Sequence, residues 1–167
     1  MNGDAAAQIR DAAWKRARRI AWLMLAAPAL YVVIGPALLK ARNVPRLADL
    51  GEGLRDGIFF IFVAVSVLDF LTAVVLSRAM LSPHYVTRRF RGMGSTAQHY
   101  GQVHVLIGAM CQGPAVLGLV YFVLTGDLER MVLCAGAGVL FSLVLLPRRA
   151  TLEKLLRAVR QQESSQC

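Results

Sequence analysis

Residues 58–80, IFFIFVAVSVLDFLTAVVLSRAM, decide the fold because they are apolar over a length that crosses a bilayer. A transmembrane helix needs about 20 mostly apolar residues, since each residue adds about 1.5 Å and the hydrocarbon core is about 30 Å thick. The stretch holds one carboxylate, Asp69, close to its middle. It is therefore predicted to be a membrane-spanning helix with a single acid in its interior.

Three further apolar runs extend this prediction to a bundle. They are residues 20–39, 103–125 and 131–146. The first run is too long for the core of a cleaved signal peptide, which has about 7–15 residues, so we interpret it as a retained span. The predicted fold class is all-α: a four-helix transmembrane bundle with amphipathic basic N- and C-terminal segments. Residues 1–167 are expected to form a single integral membrane domain.

The segments outside these runs are polar, and most are basic. We predict loops over residues 40–57 and 81–102 and a tight turn at Gly126-Asp127-Leu128. Residues 150–161 are predicted to form an amphipathic helix, because apolar side chains recur at helical spacing with basic ones between them. Those apolar side chains are Leu152, Leu155, Leu156 and Val159.

The distribution of positive charge predicts the orientation. The formal net charge is +9, and fourteen of the nineteen Lys and Arg residues lie in the two terminal segments and around the loop 81–102. Four spans place these three segments on one side of the membrane, and the positive-inside rule makes that side cytoplasmic. We expect an integral protein of a bacterial inner membrane with both termini in the cytoplasm. Its basic tails are expected to contact the anionic leaflet of the lipid bilayer.

Asp69 is the first candidate functional residue. A charged Asp at the centre of a span costs about 2.5–3.5 kcal/mol on insertion scales, and a proton, a partner or a bound cation lowers that cost. Ser66 and Thr72 lie three residues to either side and are predicted to form a polar stripe with Asp69 that faces the bundle interior. The functional hypothesis is a proton- or cation-binding carboxylate. The structural hypothesis is a protonated Asp that links two helices by a hydrogen bond, and the sequence leaves both open.

Gln112 is the predicted partner of Asp69. Each residue lies about ten residues from the cytoplasmic end of its span, so neighbouring spans bring them to a similar depth. Pro114 frees the carbonyl of Met110 from its helical hydrogen bond and offers a further ligand. The alternative is that Pro114 is an ordinary kink point. The predicted ion-binding residues are thus Asp69, Gln112, Ser66 and Thr72.

Small residues predict close helix packing in the third and fourth spans. Gly108, Cys111, Ala115 and Gly118 share one face of the third span, and Cys134, Gly138 and Ser142 recur every four residues in the fourth. Such faces let two backbones approach closely. Contact within one chain is favoured over contact between chains.

Several kinds of function are not supported by the sequence. No nucleophile, base and acid can be assembled at one membrane face, so an enzyme is not expected. No facing histidines or metal-ligand spacing is present, so we predict no metal and no cofactor. The basic segments lack the aromatic interleaving of nucleic-acid modules. The three cysteines do not form a disulfide framework.

The run from Met110 to Val120, MCQGPAVLGLV, resembles the acid-bearing helix of the rotary ATPase proteolipid, subunit c. It is also similar to a run in small bacterial four-span membrane proteins that ends in Leu-Thr-Gly-Asp, here residues 124–127. The resemblance covers the second and third spans and implies an intramembrane cation site. Gln112 stands at the position of the family's carboxylate and Leu117 at that of its Tyr, while the carboxylate of this chain lies on the opposite helix as Asp69.

Three functions follow as hypotheses, of which a small membrane-bound enzyme is the third. The first is a proteolipid-like membrane protein that binds a proton or cation at Asp69, as a homo-oligomer or with a partner in a membrane complex. The second is a non-catalytic membrane scaffold or assembly factor, in which Asp69 is structural and the basic tails contact partners or lipid.

Overall fold

The computed structural model describes residues 3–41, 51–90 and 92–165. Within these residues all regular structure is helical and no strand is present, so the all-α prediction is confirmed. The helices of the described part are α1 (Gly3–Ala41), α2 (Glu52–Met80), α3 (Pro83–Arg89), α4 (Met93–Cys111), α5 (Gly113–Thr125), α6 (Leu128–Val144) and α7 (Arg149–Ser165).

Three stretches of described helix are long and apolar enough to cross a membrane. They are Ala7–Ala37, Glu52–Met80 and Met93–Thr125, the last of which joins α4 and α5. A fourth is counted only if α6 and α7 are taken together as one broken span, because α6 alone has 17 residues. The helices are thus compatible with an integral membrane protein.

The first helix is longer than predicted. α1 runs without interruption from the polar N-terminal segment through Pro28 and Pro36 to Ala41. The predicted loop over residues 40–57 is correspondingly shorter, since α2 begins at Glu52, and residues 42–50 lie outside the described part.

The prediction of a loop over residues 81–102 is wrong for most of that stretch. The Ser82 hydroxyl accepts a hydrogen bond from the Tyr85 backbone N–H at 3.3 Å, and Pro83 opens the first turn of α3. A Ser N-cap followed by proline is a common helix start, and this pair is the signal that identifies α3 in the sequence. Gly92, with φ +95°, separates α3 from α4, which begins at Met93.

The contacts divide the chain into two compact units. Unit 1 comprises Met1–Trp22, Val74–Gly108 and Leu145–Cys167, and unit 2 comprises Leu23–Ala73 and Ala109–Val144. Helices α1, α2 and α4 contribute residues to both units.

Unit 1 has a core centred on α7. The predicted amphipathic helix is confirmed, with bounds Arg149–Ser165, and its four apolar side chains are 0–4% exposed. They cluster with buried side chains of α1, α3 and α4, which are Ala17, Val86, Met93 and Tyr100. The Tyr100 hydroxyl also donates a hydrogen bond of 3.0 Å to the Arg148 carbonyl, which holds the start of α7. The protein itself therefore covers the apolar face of α7.

Unit 2 contains the predicted seam of small residues. A Cβ placed on Gly118 of α5 would lie 2.5 Å from the Cβ of Cys134 in α6. A Cβ placed on Gly138 of α6 would lie 3.3 Å from the Cys111 carbonyl oxygen and 3.4 Å from the Ala115 Cβ. These distances confirm that Cys111, Ala115 and Gly118 pack closely on Cys134 and Gly138 within one chain.

The connection between α5 and α6 is the predicted tight turn. Gly126 ends α5 with φ 77°, and its N–H donates to the Phe122 carbonyl at 2.7 Å. Glycine adopts this left-handed conformation without a steric penalty. Asp127 then accepts a hydrogen bond from the Arg130 backbone N–H at 3.1 Å and satisfies one free donor of the first turn of α6.

Aromatic contacts fix α2 against α5 and α6 in unit 2. Phe59 packs edge-on to Tyr121 with ring centroids 5.5 Å apart, and Phe70 stacks on Phe141 at 4.1 Å. Because Phe70 follows Asp69 directly, this stacking also holds the turn of α2 that carries the Asp69 carboxylate near α6.

Candidate functional site

The Asp69 carboxylate lies against the backbone at the start of α5. The side chain is half-buried, and a Cβ placed on Gly113 would lie 2.7 Å from Oδ2 of Asp69. Only glycine leaves room for the carboxylate at this distance, because any other residue places a carbon atom in the same space. Asp69 forms no hydrogen bond or ion pair with another described residue. The carboxylate thus lies close to the main chain of Gly113 and accepts no hydrogen bond from a described residue.

The same place is a break between two helices. α4 ends at Cys111 and α5 begins at Gly113, while the Gln112 N–H donates to the Ala109 carbonyl at 3.1 Å, a tighter pattern than that of an α-helix. The cause is Pro114, which has no N–H to donate and whose ring opposes the preceding turn. The predicted irregularity at Pro114 is therefore confirmed as a break in the helix.

Gln112 is buried at this break and is oriented by α1. Its side chain is 6% exposed, and Nε2 donates a hydrogen bond of 2.7 Å to the Met24 carbonyl. That carbonyl needs a donor from elsewhere because Pro28, four residues later, has no N–H. Since a carbonyl accepts only from the N–H side of an amide, the contact also settles which end of the Gln112 amide points to α1.

The other end of the Gln112 amide has no partner among the described residues. Oε1 is buried and accepts no hydrogen bond. Gln112 directly precedes Gly113, the residue that Asp69 contacts, so the structure brings the two predicted residues to one break. No hydrogen bond joins them: Nε2 of Gln112 donates to the Met24 carbonyl, and Asp69 bonds to no described residue.

Ser66 and Thr72 diverge from the predicted stripe. Each hydroxyl donates to a carbonyl one turn earlier in α2, Ser66 to Phe62 and Thr72 to Leu68, both at 2.8 Å. Ser66 is buried but Thr72 is exposed, so the prediction that Thr72 faces the interior is wrong. At 3.6 residues per turn, Ser66 and Thr72 lie about 60° to either side of Asp69 around the helix axis. The two residues are therefore about 120° apart, so a helix face that is buried at Ser66 is not buried at Thr72.

Among the described residues, two groups at the break lack a hydrogen-bond partner. The unpartnered groups at the break, the Asp69 carboxylate and Gln112 Oε1, are both oxygen acceptors, and neither can donate without an added proton. Oxygen atoms are the ligands that hard cations prefer. Within the described part of the chain, no three His, Cys, Asp or Glu side chains group to hold a metal ion. A carboxylate can take a proton or ligate a cation, and an amide oxygen can ligate a cation.

A second polar cluster of unit 2 was not predicted. Arg130 donates to Asp56 at 2.6 Å and to the Tyr121 hydroxyl at 2.9 Å, and it pairs with Asp127 at 3.3 Å. Its guanidinium carbon also lies 4.9 Å from the centre of the Phe59 ring. The cluster links α2, α5 and α6 through one cation. The Asp127–Arg130 spacing of three residues at the start of a helix was the available signal, whereas Asp56 is too distant in sequence to be assigned.

Comparison with known proteins adds no relative. No protein-family model, no curated protein and no solved structure matches the chain. The resemblance to the rotary ATPase proteolipid therefore remains a prediction.

Proposed function

We propose that this chain is a four-span integral membrane protein that binds a proton or a monovalent cation at Asp69, in the manner of a proteolipid. The observation that supports it is the position of the Asp69 carboxylate, half-buried on an apolar helix and in contact with the break at Gly113. The unpartnered Oε1 of Gln112 at the same break is the second ligand. Ser66 is the third, because its oxygen keeps free lone pairs after donating to Phe62.

The proposed topology has both termini in the cytoplasm of a bacterial cell. α6 serves as the fourth span, since 17 residues are at the short end of the range that crosses a bilayer. Large apolar side chains that face away from the protein support lipid contact for α1, α2 and α6. They include Val33, Phe60, Leu68, Leu133 and Leu140, which are 60–72% exposed.

The scaffold function is the alternative. In its simplest form Asp69 is a protonated link between helices, and an intramembrane link of this kind contributes about 0.6–2 kcal/mol. Such a link requires a hydrogen bond from Asp69 to another helix, and the described residues contain none. We therefore place the ion-binding function first.

Carbodiimide labelling tests the proposal, because these reagents modify protonated carboxyl groups in apolar, reachable sites. We expect one labelled residue, Asp69, in purified protein, with slower labelling when the pH is raised or sodium is added. Asp69→Asn removes the label. Asp127→Asn is the matched control and leaves the label unchanged, because Asp127 is paired with Arg130 at the turn.

Two results would contradict this proposal. Asp69 that resists the reagent at every pH is a sealed structural carboxyl, and the scaffold function then takes precedence. Labelling of Asp69 that depends on neither pH nor sodium shows a reachable carboxyl without ion linkage.

Replacing Gly113 by alanine is expected to weaken the site without unfolding the protein. The added Cβ would meet Oδ2 of Asp69 at 2.7 Å, and the carboxylate is the movable partner. We expect about ten times more sodium to be needed for the same protection against labelling. The displaced carboxylate loses its charge-assisted contact with the bound cation, and loss of one such contact weakens binding by about this factor. Gly57→Ala on α2, where an added Cβ meets nothing within 4 Å, is the control. Equal sodium protection in the two variants would show that the Gly113 contact plays no part.

A further inference from the structure

A cleft of about 260 Å³ lies in unit 1 between α1, α4 and α7. Three arginines and one glutamate contribute its charged lining: Arg10, Arg157, Arg160 and Glu153. Its apolar lining includes Met93 and Leu156, which are buried in the unit 1 core. The cleft therefore combines an apolar floor with an excess of positive charge.

Among the described residues, the carboxylates that pair with the arginines of this cleft are shared between several guanidinium groups. Arg10 pairs with Asp11 at 3.3 Å, but Asp11 also pairs with Arg149 at 3.2 Å. Arg149 and Arg157 in turn share Glu153, at 3.2 Å and 3.6 Å. Two carboxylates thus serve three guanidinium groups before Arg160 is counted.

Arg160 has no carboxylate partner in the described part of the chain. Its hydrogen bond goes to the sulfur of Met93 at 3.9 Å, and a thioether is a weak acceptor. Arg157 is 79% exposed, and its one ion pair with a described residue is the long contact of 3.6 Å to Glu153. Both guanidinium groups are therefore free to rearrange toward a stronger acceptor without breaking a close ion pair.

We propose that this cleft binds a phosphate group, carried by an anionic phospholipid or present as the free ion. Guanidinium groups present paired N–H donors that match phosphate oxygens, which makes arginine the favoured side chain for this anion. Arg157 and Arg160 are three residues apart on α7 and lie on one side of the helix, with Arg10 contributed by α1.

The packing of α7 decides how this helix meets a lipid. A basic amphipathic helix ordinarily binds a membrane by inserting its apolar face. The apolar face of α7 is buried in unit 1, so that route is closed. Recognition then depends on the basic side chains, and the Met93–Leu156 floor receives the apolar part next to the phosphate.

The test uses the full-length protein in a phosphate-free, nonionic detergent. Inorganic phosphate, phosphatidylglycerol and phosphatidylcholine are added separately, and bound ligand is measured by native mass spectrometry together with the Tm. The test variant is Arg157→Gln/Arg160→Gln. Arg88→Gln/Arg89→Gln, on the exposed side of α3, removes the same charge from the same unit and is the matched control.

We expect phosphatidylglycerol to bind the native protein and the control within about two-fold of each other. The Arg157→Gln/Arg160→Gln variant is expected to bind it at least about ten-fold more weakly, because two charge-assisted hydrogen-bonding groups are lost. A rise in Tm with inorganic phosphate alone identifies the free ion as sufficient, and a response to phosphatidylglycerol alone identifies the lipid headgroup.

Three results would overturn the proposal. Equal weakening in both double variants shows that only net charge matters. Equal binding of phosphatidylglycerol and phosphatidylcholine, with no loss in the Arg157→Gln/Arg160→Gln variant, places the lipid elsewhere. The absence of any response from the native protein to phosphate or lipid excludes the site. Unchanged helical circular dichroism of each variant without ligand shows that its fold is intact.

Discussion

Replacing Leu155 by alanine is expected to destabilise unit 1 by about 2–5 kcal/mol, the usual range for a buried Leu→Ala change. Leu155 is 1% exposed and lies in the cluster that joins α7 to α1, α3 and α4. The change removes apolar contact and leaves a cavity that rigid neighbours do not fill. Hydrogen–deuterium exchange of the α7 amides measures the effect, and we expect exchange at least about thirty-fold faster, which corresponds to 2 kcal/mol.

Leu140→Ala is the matched control for this experiment. The chemical change is identical, but Leu140 in α6 is 62% exposed and leaves no enclosed cavity. In the Leu140→Ala variant, the α7 amides should exchange as in the native protein. If Leu155→Ala also left the α7 amides unchanged, the docking of α7 on the unit 1 core would be wrong, and so would the closed apolar face on which the phosphate-binding proposal depends.

Replacing Gly118 by alanine is expected to destabilise the packing of α5 on α6 by about 1–3 kcal/mol, the usual cost of overpacking. The added Cβ would lie 2.5 Å from the Cys134 Cβ and 3.2 Å from the Met131 carbonyl oxygen. Neither atom is at the end of a flexible chain, so the helices must move apart. Thermal unfolding of the purified protein measures the loss as a lower Tm.

Gly136→Ala is the matched control on the partner helix α6. A Cβ placed on Gly136 meets nothing within 4 Å, so the change adds no contact. Alanine favours a helix over glycine by about 1 kcal/mol, and the Tm should therefore rise slightly or stay the same. A Tm that changes in the same direction in Gly118→Ala and Gly136→Ala would contradict the close α5–α6 seam.

The candidate site shows how far local sequence reasoning extends. Asp69 was identified from the cost of a carboxylate in an apolar run, and Gln112 from its depth in the next span. The role of Met24 was not predictable, because it depends on α1 lying beside the α4–α5 break so that the carbonyl freed by Pro28 meets a donor. The contact between Asp69 and Gly113 likewise depends on the relative rotation of two helices.

The sequence by itself determined the all-helical class, the apolar helices of membrane-spanning length, the amphipathic α7 and the turn at Gly126. Each of these follows from composition, from a local period or from one residue's backbone preference. Tertiary structure alone decided that α7 buries its apolar face inside unit 1, that Thr72 is exposed while Ser66 is buried, and that Arg130 joins Asp56 to the α5–α6 turn. The reason is that an apolar period shows that a face will be covered but not what covers it, and partners far apart in sequence are chosen only when the helices pack.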